Sequence, residues 1–127
     1  MSRVLIVDDS GLARRMLRSV LESEPDVEVC GEAEDGKSAI GKTESLDPDV
    51  VVLDIRMPVL NGLAATKRIR QFSPRTAVLL VSVDSNRQIV EAAREAGAQG
   101  YVSKENAVQT LVRAVQAVVD GREFFPA

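Results

Sequence analysis

The sequence has no histidine and only one cysteine in its 127 residues. Chemistry that depends on an imidazole must therefore be supplied by another molecule. The lone Cys30 cannot close an internal disulfide, and within Val27-Glu28-Val29-Cys30 it is expected to pack as a small buried hydrophobe rather than act as a reactive thiol. No apolar run approaches the roughly 20 residues that span a bilayer, and the N-terminus lacks a signal peptide's apolar stretch. The expectation is a cytoplasmic protein with no membrane partner. An excess of one charge is missing too: 16 basic and 19 acidic residues leave a net charge of −3, which gives no general attraction to nucleic acid. With no repeat, linker or low-complexity stretch to divide it, residues 1–127 read as one domain.

What is present is a set of short apolar runs, each stopped by a polar residue. Val4-Leu5-Ile6-Val7 ends at Asp8-Asp9, Val50-Val51-Val52-Leu53 at Asp54, Ala77 to Val81 at Ser82, and Tyr101-Val102-Ser103 at Lys104. Runs of this kind read as strands buried on both faces, the pattern of a parallel sheet, and parallel sheets gather their functional groups at the carboxyl ends of the strands. Helical periodicity separates the runs. Leu12, Met16, Leu17, Val20 and Leu21 form one stripe behind a Ser10 cap; a second helix covers about Lys37 to Leu46. A third starts after Asn61-Gly62 and stops before Pro74, a fourth runs from about Asn86 to Ala96 with Gly97 as its cap, and Val108 to Val119 forms the last. Strict alternation of five strands and five helices predicts an α/β fold with helices on both faces of the sheet.

Strand order decides whether the polar ends meet. In the doubly wound, flavodoxin-like order 2-1-3-4-5, the strands ending at Asp8-Asp9, Asp54, Ser82 and Lys104 lie side by side, with the switch point between the first and third. Two carboxylates about 4 Å apart repel by roughly 4 kcal/mol at an effective dielectric near 20, so three together need protonation, a cation or both. Mg²⁺ suits a site of few carboxylates that reserves positions for water and phosphate. The cluster predicts metal-assisted phosphoryl chemistry.

Asp8-Asp9, Asp54 within Asp54-Ile55-Arg56-Met57-Pro58-Val59-Leu60-Asn61-Gly62, Ser82, Tyr101 and Lys104 together resemble the receiver domain of two-component response regulators, over nearly the whole chain. The resemblance implies that Asp54 accepts a phosphoryl group from a sensor histidine kinase. It implies Mg²⁺ held by Asp9, Asp54 and the backbone carbonyl of Arg56, with Asp8 joining directly or through water. Lys104 and Ser82 would then contact the phosphoryl oxygens, and Ser82 with Tyr101 would form the switch. The first helix, Leu12 to Leu21, is where the resemblance puts the kinase interface, and a homodimer is an expected partner state whose face the sequence does not choose. Taken singly the same residues are ordinary. Ser82 ahead of Asp84-Ser85 reads as a helix cap, Lys104 as a loop lysine, Tyr101 as core, and the aspartates as turn residues.

Two rival chemistries follow from the residues. Gly36-Lys37-Ser38-Ala39-Ile40-Gly41-Lys42-Thr43 matches the phosphate-cradling P-loop pattern, yet a P-loop requires a long helix starting at its Lys-Thr, and only Glu44-Ser45-Leu46 precede Asp47-Pro48. Haloacid-dehalogenase-like phosphatases also use an aspartyl nucleophile, but resemble Asp-x-Asp-x-Thr after the first strand, where this chain has Asp8-Asp9-Ser10-Gly11. A receiver-shaped module that acts by protein contact alone is the third alternative.

Some positions depart from the common receiver pattern. Val83 is bulkier than the usual Ala or Gly and is expected to narrow access to Asp54. Lys104 is followed by Glu105 rather than Pro, which leaves the geometry of that loop open, since a cis bond there would cost about 3 kcal/mol. Arg56 and Asp84 are expected to pair across the pocket mouth and shield an acyl phosphate from water. Asp120-Gly121-Arg122-Glu123-Phe124-Phe125-Pro126 resembles the NarL/LuxR-type subfamily, which implies a helix-turn-helix DNA-binding output domain beyond this chain, with a self-contained single-domain regulator as the alternative. Arg14, Arg15 and Arg18 read as a solvated or partner-facing cluster rather than a DNA-binding patch.

Overall fold

In the computed structural model, residues 1–84 and 86–126 are described. Five parallel strands, β1 (Ser2–Val7), β2 (Val27–Ala33), β3 (Val50–Asp54), β4 (Ala77–Ser82) and β5 (Gly100–Ser103), form one sheet in the order β2-β1-β3-β4-β5. Between and after them run α1 (Gly11–Glu22), α2 (Gly36–Leu46), α3 (Gly62–Phe72), α4 (Arg87–Ala96) and α5 (Ala107–Val119).

Alternation along the strands feeds two cores. Val4, Ile6, Val50, Val52, Leu79 and Val81 point to the side of Leu17 and Leu21 of α1 and Leu111 and Val115 of α5. Leu5, Val7, Val51, Leu53, Val78 and Leu80 point to the opposite side, against Ala39 of α2, Ala65 and Ile69 of α3 and Ala93 of α4. Both faces are covered over the middle of the sheet, which is why β3 and β4 carry no polar residue until their ends, whereas the half-buried edge strand β2 keeps Glu28 and Glu32. The helices start where their capping side chains stand: Ser10, Asp35, Asn61 and Asn86 each accept a hydrogen bond from the backbone N–H three residues on. Gly97, at φ 105°, ends α4 in the left-handed region.

One expectation needs correction in detail. Cys30 is half-buried rather than buried, because the β1–β2 register jumps from Val4↔Val29 to Leu5↔Gly31 and leaves Cys30 as the extra residue of an edge-strand irregularity, its Sγ 3.5 Å from the Val4 carbonyl. Burial still pushes its thiol above the ordinary value, so it is not an activated nucleophile. The segment after α5 packs back on the fold. Phe124 makes a parallel bridge to Gly100, donating to the Gln99 carbonyl at 3.0 Å and accepting from the Tyr101 amide at 2.8 Å. Arg94 of α4 lies 4.0 Å over the Phe125 ring and 3.0 Å from Glu123.

Candidate functional site

The carboxyl ends of β1 and β3 bring three carboxylates together. Asp8, one residue past β1, continues the ladder through its N–H to the Ala33 carbonyl at 3.1 Å and is 1% exposed. Asp54 is the last residue of β3 and also buried, whereas Asp9 is exposed. One oxygen from each lies within 4.8 Å of the others.

Lys104 reaches this group from the far side of the sheet. It follows β5, which is separated from β3 by β4, and its Nζ stands 3.0 Å from Asp8 Oδ2 and 3.5 Å from Asp54 Oδ2. No cis peptide bond occurs among the described residues, and the chain leaves β5 through a 3₁₀ turn over Lys104–Asn106. The electrostatics follow from this crowding. Burial, then the neighbouring Asp8 charge, push the Asp54 carboxyl above its ordinary value against the opposing pull of Lys104 and of the Arg56 N–H. Burial pulls the Lys104 ammonium down, but Asp8 and Asp54 outweigh it and hold the group above its usual range.

The residues suit a hard cation. Asp8 Oδ1 accepts from the Ser10 N–H at 2.9 Å, while the buried Asp8 Oδ2 has no aligned hydrogen-bond donor, its 3.0 Å approach to Lys104 being ionic rather than directional. A buried carboxylate oxygen whose one close partner is an ammonium, within an all-oxygen donor set, is what Mg²⁺ takes.

The loop after Asp54 is built by close backbone approach. The Gly62 N–H donates to the Ile55 carbonyl at 2.7 Å, and a Cβ on Gly62 would lie 2.3 Å from the Asp54 carbonyl oxygen, so only glycine lets α3 start here. Val59 sits at φ 71°, a left-handed conformation that costs a β-branched residue of order 1–3 kcal/mol.

On the other side of the pocket, Ser82 ends β4 with its hydroxyl buried. Its Oγ accepts from the Asp84 N–H at 3.2 Å, and Asn86, not Ser82, caps α4. Ser85 lies outside the described residues. Tyr101 is buried, and its hydroxyl donates to the Asp84 carbonyl. Burial raises the phenol above its ordinary value, with hydrogen bonding to Ser82 pulling it back. Arg56 Nη2 meets Asp84 Oδ2 at 2.7 Å, the pairing expected across the mouth, and Val83 stands 65% exposed beside it in the chain.

The P-loop pattern is not a phosphate cradle. Its helix begins at Gly36, so Lys42 and Thr43 fall inside α2 rather than at its N-terminus. The Thr43 hydroxyl donates to the Ala39 carbonyl at 2.7 Å, and Lys42 Nζ donates to the Glu32 carbonyl.

One participant was not singled out in the sequence for this site. Arg14 and Arg18, expected to be solvated or partner-facing, close instead on Glu32 of β2 at 2.9 and 2.7 Å, and Arg14 Nη1 also donates to the Asp8 carbonyl at 2.6 Å. The signal available was their one-turn spacing on α1 opposite an acidic residue of the neighbouring strand. Arg15, between them, is exposed.

Comparison with known proteins agrees with this geometry. The family model for the response regulator receiver domain matches residues 4–116. Transcriptional regulatory protein LnrK of Bacillus subtilis (strain 168) is 36% identical over 126 residues, covering 99% of this chain and 57% of that protein. The nitrate/nitrite response regulator protein NarL of Escherichia coli (strain K12) is 33% identical over 118 residues, covering 93% of this chain and 55% of its own length. Among solved structures, a two-component response regulator of the LuxR family from Aurantimonas sp. SI85-9A1 superposes with a TM-score of 0.94 at 33% identity, covering 98% of this chain and 89% of that one. The chain spans about half the length of the curated relatives it matches.

Proposed function

This chain belongs to the response regulator receiver domain family, with NarL/LuxR-type transcriptional regulators among its relatives, and on that premise we propose that Asp54 is the phosphoacceptor of a two-component signalling step that controls transcription. The observation that carries the reading is the Lys104 ammonium set against both Asp8 and Asp54, with Asp9 completing the acidic cluster.

An Asp54 oxygen attacks the phosphorus of a phosphohistidine on a sensor kinase; the O–P bond forms as the P–N bond breaks, and the electron pair leaves with the imidazole nitrogen. Asp8, Asp9, Asp54 and the Arg56 main-chain carbonyl would hold Mg²⁺, which when bound neutralises charge on the phosphoryl oxygens. Lys104 pairs with another of those oxygens and gives up part of its hold on Asp8 and Asp54 to do so. The Ser82 hydroxyl donates to a third, which draws the β4–α4 loop inward; Tyr101, bonded to the Asp84 carbonyl, reports that movement to the face made by α4, β5 and α5. Arg56 and Asp84 shield the acyl phosphate, and Val83 limits which donors enter. Beyond self-phosphorylation and hydrolysis at Asp54 the domain performs no chemistry, and its output is a DNA-binding domain that follows it in the full-length regulator.

Intact-mass spectrometry after incubation with phosphoramidate, in Mg²⁺ and in EDTA, tests this on the wild type and Asp54→Ala. A single Mg²⁺-dependent phosphoryl adduct that is lost in Asp54→Ala is expected. An adduct that persists in the variant, or none on the wild type with Mg²⁺ and a donor excess, would overturn the assignment.

A further inference from the structure

We infer that Arg14 is a positioning residue for the acidic site, setting the direction of the Asp9 carboxylate through the peptide unit that joins it to Asp8; this rests on the metal-binding reading of that site. Arg14 extends from α1 along the end of β1 and donates through Nη1 to the Asp8 carbonyl at 2.6 Å. The Asp8 carbonyl and the Asp9 N–H belong to one rigid peptide plane, so a rotation of that plane swings Asp9 with it. Asp9 is exposed, so packing does not hold its side chain, and the backbone sets the one fixed element of its placement, the Cα–Cβ bond from which the carboxylate reaches the site. Asp8 itself is fixed from two other directions, by its N–H on the Ala33 carbonyl and by Ser10 N–H on its Oδ1. The carbonyl is the third anchor, and a side chain supplies it.

The arginine is in turn held in place. Its Nε meets Glu32 Oε1 at 2.9 Å, while Arg18, one turn later on α1, takes Glu32 Oε2 at 2.7 Å. Hydrogen bonding from Arg18, with Arg14 adding to it, holds the Glu32 carboxyl below its usual value against the opposing effect of burial, so it stays ionised. Glu22 also pairs with Arg18, at 3.0 Å, so the two carboxylates together offset the two guanidinium charges beside a site that must attract a cation. Arg14 restrains the peptide without repelling the ion. A lysine at this position can reach one of these two partners but cannot grip both with a planar fork.

Arg18 provides the control, because it shares Glu32 with Arg14 but does not reach Asp8. The measurement is Mn²⁺ binding by electron paramagnetic resonance of the free ion, an oxygen-seeking stand-in for Mg²⁺ read without any phosphorylation. Wild type, Arg14→Met, Arg14→Lys and Arg18→Met are compared, with thermal unfolding in EDTA alongside. Arg14→Met is expected to weaken Mn²⁺ binding about tenfold, as loss of a group that orients a metal ligand does. Arg14→Lys should recover part of that loss, and Arg18→Met should bind as wild type does even where its melting temperature falls as far as that of Arg14→Met. Wild-type affinity in Arg14→Met, or equal losses in Arg14→Met and Arg18→Met, would overturn the inference. Failure of the wild type to bind Mn²⁺ would overturn the metal-site reading itself, and the inference with it. Should Arg14→Met fail to fold, Arg14→Lys against Arg18→Met decides the same question.

Discussion

Arg56 and Asp84 meet across the mouth of the Asp54 pocket, Nη2 to Oδ2 at 2.7 Å and Nε to Oδ2 at 3.0 Å, and so join the loop after β3 to the loop after β4. Arg56 is 70% exposed, which limits the pair to about 1 kcal/mol or less and its effect on a rate to about fivefold. Arg56→Ala and Asp84→Ala should each speed hydrolysis of the acyl phosphate within that limit and leave the melting temperature almost unchanged. A dephosphorylation time course followed by intact mass checks this; unchanged rates would remove the shielding role.

Removing Lys104 should make stability depend on the metal. Its ammonium is the cation beside Asp8 and Asp54 in the chain alone, and at 24% exposure its loss costs less than that of a fully buried pair, about 1–3 kcal/mol. Denaturant unfolding of Lys104→Met in EDTA should show that deficit, and millimolar Mg²⁺ should recover more stability in the variant than in the wild type. Phosphoryl uptake in Mg²⁺ should fall, because no other described side chain within ion-pair distance of the pair is basic.

The raised Asp54 carboxyl gives a pH test with a definite sign. The folded chain holds this proton more tightly than the unfolded chain does, chiefly through burial and then the Asp8 charge. In EDTA its contribution to stability is therefore largest below the ordinary carboxylate range and is lost as pH rises through the raised folded value. Asp54→Asn should be more stable than wild type above that window, with the gap closing as pH falls through it. Chemical unfolding of both proteins across acid to neutral pH reads the difference; a gap independent of pH would contradict the assignment.

Gly62→Ala should damage fold and site together. The added methyl would lie 2.3 Å from the Asp54 carbonyl oxygen and 2.7 Å from Ile55 Cα, both backbone atoms that cannot step aside cheaply. A loss of about 3 kcal/mol is expected, with slower phosphorylation of the folded fraction because Asp54 shares the displaced backbone. Gly121→Ala is the comparison: no atom lies within 4 Å of its added Cβ, and only the cost of its φ of 82° remains.

The middle of the sheet was legible because β3 and β4 are buried on both faces, and a run such as Val50 to Leu53 has few other ways to be satisfied. The rim was legible for the same reason: in a parallel sheet, Asp54, Ser82 and the residues beside them follow directly from where the runs stop. What the pattern did not reveal depends on geometry that a linear reading lacks. Arg14 looks like any surface arginine until its distance to the Asp8 carbonyl is known. Cys30 looks buried until the register shift beside it appears, and nothing in Val59 announces a left-handed backbone. Phe124 pairs with a strand more than twenty positions earlier, and that pairing has no local sequence signal.

That last pairing has a bearing on solubility. A terminal strand of a sheet offers unmated amides and carbonyls on which a foreign chain can build, and such growth is how soluble proteins come to clump. β5 is four residues long, and Phe124 occupies the Gln99 carbonyl and the Tyr101 amide on its open side. The segment around Phe124 thereby denies newcomers the place where an extra strand would begin.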